Sequence, residues 1–206
     1  MKNKLIEDVD CSKCPYQILN NFDICNAAYD FYQSAHFLND NKELYYPKIS
    51  ANNVVAITVN ISFSCELFLK GIQKILGFKV PRGHDLFDLF TSLDDRLKTM
   101  IINIVACDYE YETGSRINEE QFLKSLELVK NWFVEQRYWF EHDYGFDYKG
   151  IGFIKKICDA VMLLANATID EQLWFKISVS SMEKQRAMMK HIDQTVISKM
   201  IEQNNK

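Results

Sequence analysis

Glycine and proline are scarce in this chain of 206 residues, which contains only 7 Gly and 3 Pro. Together they make up about 5% of the chain, whereas an average protein contains about 12%. Because both residue types interrupt helices, their scarcity predicts long helices and excludes collagen-like repeats and glycine-rich all-β folds. Two windows, 16–46 and 153–206, lack both residue types, and we expect helices in each.

Long hydrophobic runs are also absent. The longest uncharged apolar stretch, 54–65, contains four polar residues and is well short of the roughly 18 residues that cross a bilayer. The first twenty residues mix charged and apolar positions, so they lack the continuous apolar run of a secretory signal. We therefore expect a cytoplasmic protein with no membrane span.

An excess of positive charge is missing as well, since the net charge is −4 and the pI is about 5.6. This excludes a protein that coats nucleic acid non-specifically, because such binding depends on many Lys and Arg contacts to phosphate. A local RNA site remains open. The best basic cluster, Lys184, Arg186 and Lys190, is diluted by Glu183 and Asp193, and we expect a solvated face there.

The six cysteines are too sparse for a disulfide framework, and we expect buried thiols. Cys11 and Cys14, together with Cys25 and His36, offer four possible zinc ligands. A structural zinc site usually has a second closely spaced pair, which is missing here. The sequence therefore predicts no metal and no cofactor.

Apolar residues recur at a period near 3.6 along most of the chain, which predicts a single all-α domain. A first helix ends near Asn39, and a second begins with a cap at Ser50 and ends before Gly77. A third begins at His84 or Asp85. A capping-box pattern at 92–95 predicts a break before the next helix.

The second half of the chain continues the helical pattern. We expect a mobile loop at 110–118, because that stretch is polar and has no period. One long helix then runs from Asn118 through Phe140 and ends before Gly145. The core covers about 17–166, and a second capping box, Thr168 with Glu171, begins a helical extension at about 168–206.

Several polar residues are predicted to be structural rather than functional. Glu66 and Lys70 are four residues apart opposite the apolar stripe, where they form an exposed ion pair. His84 reads as a loop and cap residue whose ring bonds to backbone. His36 and His191 stand alone on helices, so we expect surface or satisfied core positions for both.

The residues that suggest chemistry are Arg137, His142 and Tyr144. In one regular helix Arg137 shares a face with Phe133, but His142 points about 140° away. The helix can end at Glu141 so that His142 lies on a turn, or two copies of the helix can pair across a two-fold axis. Arg binds phosphate and His moves protons near neutral pH, which suits phosphodiester chemistry without a metal. The structural alternative is that Arg137 pairs with a buried carboxylate and His142 ends the helix.

The Arg-x4-His-x-Tyr pattern at 137–144 resembles the signature of the HEPN ribonucleases. The resemblance extends to Ser-Cys-Glu-Leu-Phe-Leu-Lys-Gly at 64–71 and to Gly-His-Asp-Leu at 83–86, in the order that many HEPN proteins show. It covers roughly 51–144. It implies an antiparallel helical bundle, here with an added N-terminal helix and the C-terminal extension.

The resemblance also implies a metal-independent endoribonuclease that acts as a homodimer on RNA, in a toxin–antitoxin or antiviral defence system. The RNA 2′-hydroxyl attacks the adjacent phosphate, Arg137 neutralises that phosphate, and His142 is the general acid or base. Tyr144 matches a tyrosine that a partner nucleotidyltransferase antitoxin adenylylates in one subgroup. Tyr144, Glu141 and Tyr138 are therefore the candidate regulatory or supporting residues.

One departure keeps two other functions open. Active members often have a small polar residue after the arginine, where this chain has the bulky Tyr138. The first alternative is a non-catalytic HEPN module that binds a nucleotide or a partner protein through the same groove. The second is a helical dimerisation scaffold without a nucleic-acid role.

Overall fold

The computed structural model describes residues 23–40, 50–137, 148–168 and 182–204, and all regular secondary structure in these ranges is helical. The all-α class predicted from the sequence is thus confirmed. The described helices are α1 (Asp23–Asp40), α2 (Ser50–Ile75), α3 (Leu86–Thr91), α4 (Asp95–Thr113), α5 (Glu119–Val129), α6 (Trp132–Glu135), α7 (Tyr148–Thr168), α8 (Met182–Met189) and α9 (Gln194–Asn204).

Helix α2 is the centre of the fold, and α1, α3, α6 and α7 all pack against it. The apolar stripe that its sequence predicts is buried at Ile57, Ile61, Cys65, Phe68 and Ile72, and partly buried at Ile75. The chain leaves the helix at Gly77, whose φ of 76° is a conformation that favours glycine. The helix bounds therefore agree with those predicted from Ser50 and Gly77.

The segment Val54–Ile75 of α2 is, by length and composition alone, apolar enough to cross a membrane. The sequence pattern had suggested a shorter stretch, because Glu66 and Lys70 interrupt the apolar run. In the fold, most of this segment is buried against neighbouring helices, as expected for a core helix.

Helices α1 and α2 approach closely where Gly71 faces Cys25. A Cβ at position 71 would lie closer to Cys25 Sγ than the 3.0 Å below which real Cβ contacts are essentially never found. One and a half to two turns away, Ser64 Oγ donates a hydrogen bond of 2.7 Å to the carbonyl of Ala28. The absence of a side chain at Gly71 thus allows the two helices to pack at short range.

Helix α7 also packs against α2, and it is joined to α1 by a buried hydrogen bond. Its Asp159 is fully buried and accepts hydrogen bonds from Tyr32 Oη, at 2.5 Å, and from Lys155 Nζ, at 2.6 Å. Gly150 and Gly152, which we expected to separate helices, instead lie in the first turns of α7. At Gly150 the glycine admits the indole ring of Trp132, which occupies the space a Cβ would need.

The predicted mobile loop at 110–118 is shorter than expected, because α4 continues to Thr113 and ends on Gly114 with φ 72°. The predicted long helix from Asn118 through Phe140 is wrong. It begins with a capping box at Asn118, but α5 ends at Val129 and α6 begins at Trp132. The carbonyl of Lys130 accepts a hydrogen bond from Leu86 N instead of continuing the helix.

The predicted solvated face at Lys184, Arg186 and Lys190 is also partly wrong. Arg186 and Lys190 are exposed, but Lys184 is only 3% exposed. Its Nζ lies 2.8 Å from Asp108 Oδ1 and 2.6 Å from Glu112 Oε1, and Lys156 bonds to the same two carboxylates. This cluster of two cations and two anions joins α8 to α4 and α7.

The second predicted capping box, Thr168 with Glu171, lies at the end of α7. Thr168 is the last residue of that helix, and Glu171 lies outside the described residues.

The thiols of Cys25, Cys65 and Cys158 are buried and free, as predicted, and Cys107 is partly buried. Cys11 and Cys14 lie outside the described residues.

Candidate functional site

Arg137 is exposed on the helical turn that follows α6. Its guanidinium carbon lies 5.1 Å from the centre of the Phe133 ring, within the range of a cation–π contact. Arg137 shares a face with Phe133, as expected, but the expectation of one long helix is wrong. Because α5 ends at Val129 and the chain turns before α6, Phe133 is buried while Arg137 faces solvent.

The other sequence-predicted site residues are Tyr138, Glu141, His142 and Tyr144, and all four lie outside the described residues. The described part of the candidate site is therefore built around Arg137 and the residues that meet it.

Phe133 also contacts His84, which lies on the loop before α3. The His84 and Phe133 ring centres are 5.5 Å apart, and Phe133 is stacked on Phe63 of α2 at 4.5 Å. Arg137 and His84 therefore contact the same ring, which α2 fixes from behind. The helical period marks Phe133 only as a core residue and gives no sign that it contacts His84.

The His84 imidazole is hydrogen-bonded to the carboxylate of Glu66. Its Nδ1 lies 3.0 Å from Oε1 and 2.9 Å from Oε2. Glu66 is 1% exposed, whereas the His84 side chain is 54% exposed. The predicted bond from His84 to backbone is thus wrong, and Asp85 is the cap of α3, accepting from the N–H groups of Phe87 and Asp88.

Lys70 completes this cluster. Its Nζ lies 2.8 Å from Glu66 Oε1 and 2.7 Å from the carbonyl oxygen of Gly83, which has φ 116°. The prediction of an exposed Glu66–Lys70 pair is wrong, because α6 and the loop at 83–84 cover the face of α2 opposite its apolar stripe. A buried carboxylate is costly unless it is paired, and here two donors hold it.

The resulting surface combines one exposed guanidinium with one imidazole on a shared aromatic ring. The buried carboxylate of Glu66, to which His84 is bonded, is paired with the ammonium group of Lys70. An exposed cationic group and a proton-carrying group on one surface have the chemistry to bind an oxyanion such as a phosphate and to exchange a proton with it.

The signal that could have found the Glu66–His84 pair was the order of the motifs, not the helical period. The period assigns Glu66 to the outer face of α2 and says nothing about which loop covers that face.

Among the described residues, no group of three or more His, Cys, Asp or Glu is arranged to hold a metal ion.

His36, considered above as a zinc ligand, lies away from this cluster. It lines a cavity of about 150 Å³ with Lys155 and apolar residues of α2, and its Nε2 is buried with no hydrogen-bond partner in the described structure. Burial, and then the charge of Lys155, lower the pKa of His36. Cys25 faces Gly71 instead of this cavity.

Comparison with protein-family profiles, with curated proteins and with solved structures finds no match to this chain.

Proposed function

We propose that the protein is a cytoplasmic, metal-independent endoribonuclease with the HEPN arrangement of helices. One observation carries the proposal. The three sequence patterns that resemble this family are far apart in the chain, yet one residue from each joins a continuous set of contacts: Glu66 is hydrogen-bonded to His84, and His84 and Arg137 both contact the ring of Phe133.

The proposed reaction is an internal transesterification of RNA. The 2′-oxygen attacks the adjacent phosphorus, the bond from phosphorus to the 5′-oxygen breaks, and a cyclic phosphate remains. Arg137 neutralises the charge that develops on the phosphate oxygens, because its guanidinium is permanently charged and forked. His142, five residues further on, is the general acid or base.

The same proposal includes a homodimer in which both Arg-x4-His segments line one cleft. Its setting is a toxin–antitoxin or antiviral defence system, with RNA as the substrate. If the partner is a nucleotidyltransferase antitoxin, Tyr144 is the residue whose adenylylation silences the enzyme.

The test is RNA cleavage by the purified protein in excess EDTA. We expect cleavage to persist with the chelator and to fall by about 10²–10³-fold in Arg137→Ala, as for the loss of a group that stabilises transition-state charge. His142→Ala should lose about 10²–10⁴-fold. Arg186→Ala removes an equally charged, exposed side chain from α8 and is the matched control, which should keep the wild-type rate. Cleavage that stops with EDTA, or that is unchanged in Arg137→Ala, contradicts the proposal.

A second candidate, the non-catalytic binding module, is favoured by the net charge of −4, which is unusual for a protein that must hold RNA. It predicts nucleotide or RNA binding that survives His142→Ala but not Arg137→Ala, without any cleavage. Absence of both binding and cleavage would favour the dimerisation scaffold.

A further inference from the structure

Cleavage of RNA by its own 2′-hydroxyl moves two protons. One leaves the attacking 2′-oxygen, and one is added to the departing 5′-oxygen. The proposed function assigns proton transfer to one residue alone, His142 of each protomer, and so gives the two transfers no distinct acid and base. We propose that His84 is the second acid–base residue of the site and that Glu66 is its positioning residue, an inference that rests on the proposed function.

The hydrogen bond to Glu66 fixes the tautomer of the His84 ring. A carboxylate can only accept, so Nδ1 carries the hydrogen that bonds to Glu66 Oε1 and Oε2. In the neutral ring, Nε2 is then the atom that can take up a proton, and in the protonated ring it is the atom that can release one. More than half of the His84 side chain is exposed, so a substrate can reach it.

The surroundings of His84 hold the ring in place. Lys70 ties the carbonyl of Gly83, the residue before His84, to the buried carboxylate of Glu66. The residue after His84 is Asp85, whose side chain caps α3 through two backbone N–H groups. A surface loop that served only as a connection would not need a buried carboxylate, and burying one is costly.

The charged groups that face His84 come from two other elements. Glu66 and Lys70 lie on α2, and Arg137 reaches the same Phe133 ring from the turn after α6. Asp85 adjoins His84 in its own loop. Glu66 thus lies where a carboxylate offsets the charge of a proton held by His84, and Arg137, which contacts the same ring, supplies the positive charge that binds the phosphate.

The proton balance of the proposed step is complete. As the oxygen–phosphorus bond forms, one histidine takes the proton of the 2′-hydroxyl. As the bond from phosphorus to the 5′-oxygen breaks, the other gives a proton to that oxygen. His84 Nε2 performs one transfer and His142 the other, and no further reactant is consumed.

The experiment compares the pH–rate profiles of the wild type and His84→Asn on an RNA substrate in EDTA. The Asn side-chain amide can still donate to Glu66, so the buried carboxylate keeps a partner, but it cannot carry a proton. We expect unchanged thermal stability, a loss of about 10²–10⁴-fold in kcat, and the loss of one limb of the bell-shaped profile. His191→Asn, at the turn between α8 and α9, is the matched control and should retain both limbs.

Glu66→Gln tests the positioning role. It should lower kcat and shift the limb that His84→Asn removes, and the double variant should be no slower than His84→Asn alone, since both act through one ring. A variant that only loosened the fold would instead lose activity evenly across pH.

The outcomes separate this inference from the proposed function. If the wild type cleaves, Arg137→Ala does not, and His84→Asn keeps the wild-type rate with both limbs, only the role of His84 is overturned. If the wild type does not cleave RNA at all, the proposed function fails and this inference fails with it.

Discussion

The contact between Gly71 and Cys25 offers a sharp test of how α1 is held against α2. We predict that Gly71→Ala destabilises the protein, although Ala favours helices over Gly by about 1 kcal/mol. The new methyl group would overlap Cys25 Sγ, whereas its other nearest neighbours are at an ordinary 3.5 Å. The overlap with Cys25 Sγ therefore decides whether Gly71→Ala lowers or raises the free energy of unfolding.

The size of the effect follows from these two opposing contributions. Overpacking of a rigid core contact costs about 2–3 kcal/mol, so a net loss of about 1–2 kcal/mol remains after the helical gain. For a chain of this length, that lowers Tm by about 2–8 °C. In a Cys25→Ala background the overlap disappears, and Gly71→Ala should instead stabilise by about 0.5–1 kcal/mol.

The assay is urea or thermal unfolding of the four proteins of this double-mutant cycle. Burial raises the pKa of the Cys25 thiol to about 12, so the sulfur is protonated in all ordinary buffers and the comparison is free of charge effects. The same loss from Gly71→Ala in both backgrounds would show that Cys25 Sγ is not the obstacle and would refute the packing argument.

Two further predictions concern stability. Burial by itself would raise the pKa of Glu112, but the hydrogen bonds from Lys156 and Lys184 lower it to about 2. Because the folded pKa lies below the unfolded value of about 4.3, Glu112 contributes stability that is lost as pH falls from about 4.5 to 2. Unfolding free energy measured across this range should fall less steeply in Glu112→Gln, and an equal slope would contradict the assignment. Gly150→Ala should lower Tm, because the new Cβ meets the rigid ring of Trp132 and not a flexible chain end. Calorimetry checks this, and an unchanged or raised Tm would show that the ring moves aside freely.

Local patterns predicted those features of the fold that depend on neighbouring residues. The limits of α2 follow from Ser50 and Gly77. A break falls between α3 and α4 as predicted, but the capping box at 92–95 is wrong, because Asp94 caps α4 and Ser92 ends α3. In each case the residues that begin or end the helix lie within one turn of the boundary.

Features that depend on distant contacts could not be predicted in this way. Nothing near Lys130 signals a helix end, because the bond that replaces the next helical one comes from Leu86. Glu66 likewise resembles a surface residue until the loop with His84 covers it. For the candidate site, the motif order selected Arg137, but its neighbours arise from the fold.

The cluster of Asp108, Glu112, Lys156 and Lys184 makes the charge balance of the helical core depend on the C-terminal helix α8. Its two positive and two negative charges balance only while α8 supplies Lys184. Without that helix, the buried Asp108 and the partly exposed Glu112 would share one cation, Lys156, and one negative charge would be left over. Lys184 of α8 therefore serves as a counterion for the two carboxylates of α4. A ligand or modification that displaces α8 would change the charge balance between α4 and α7.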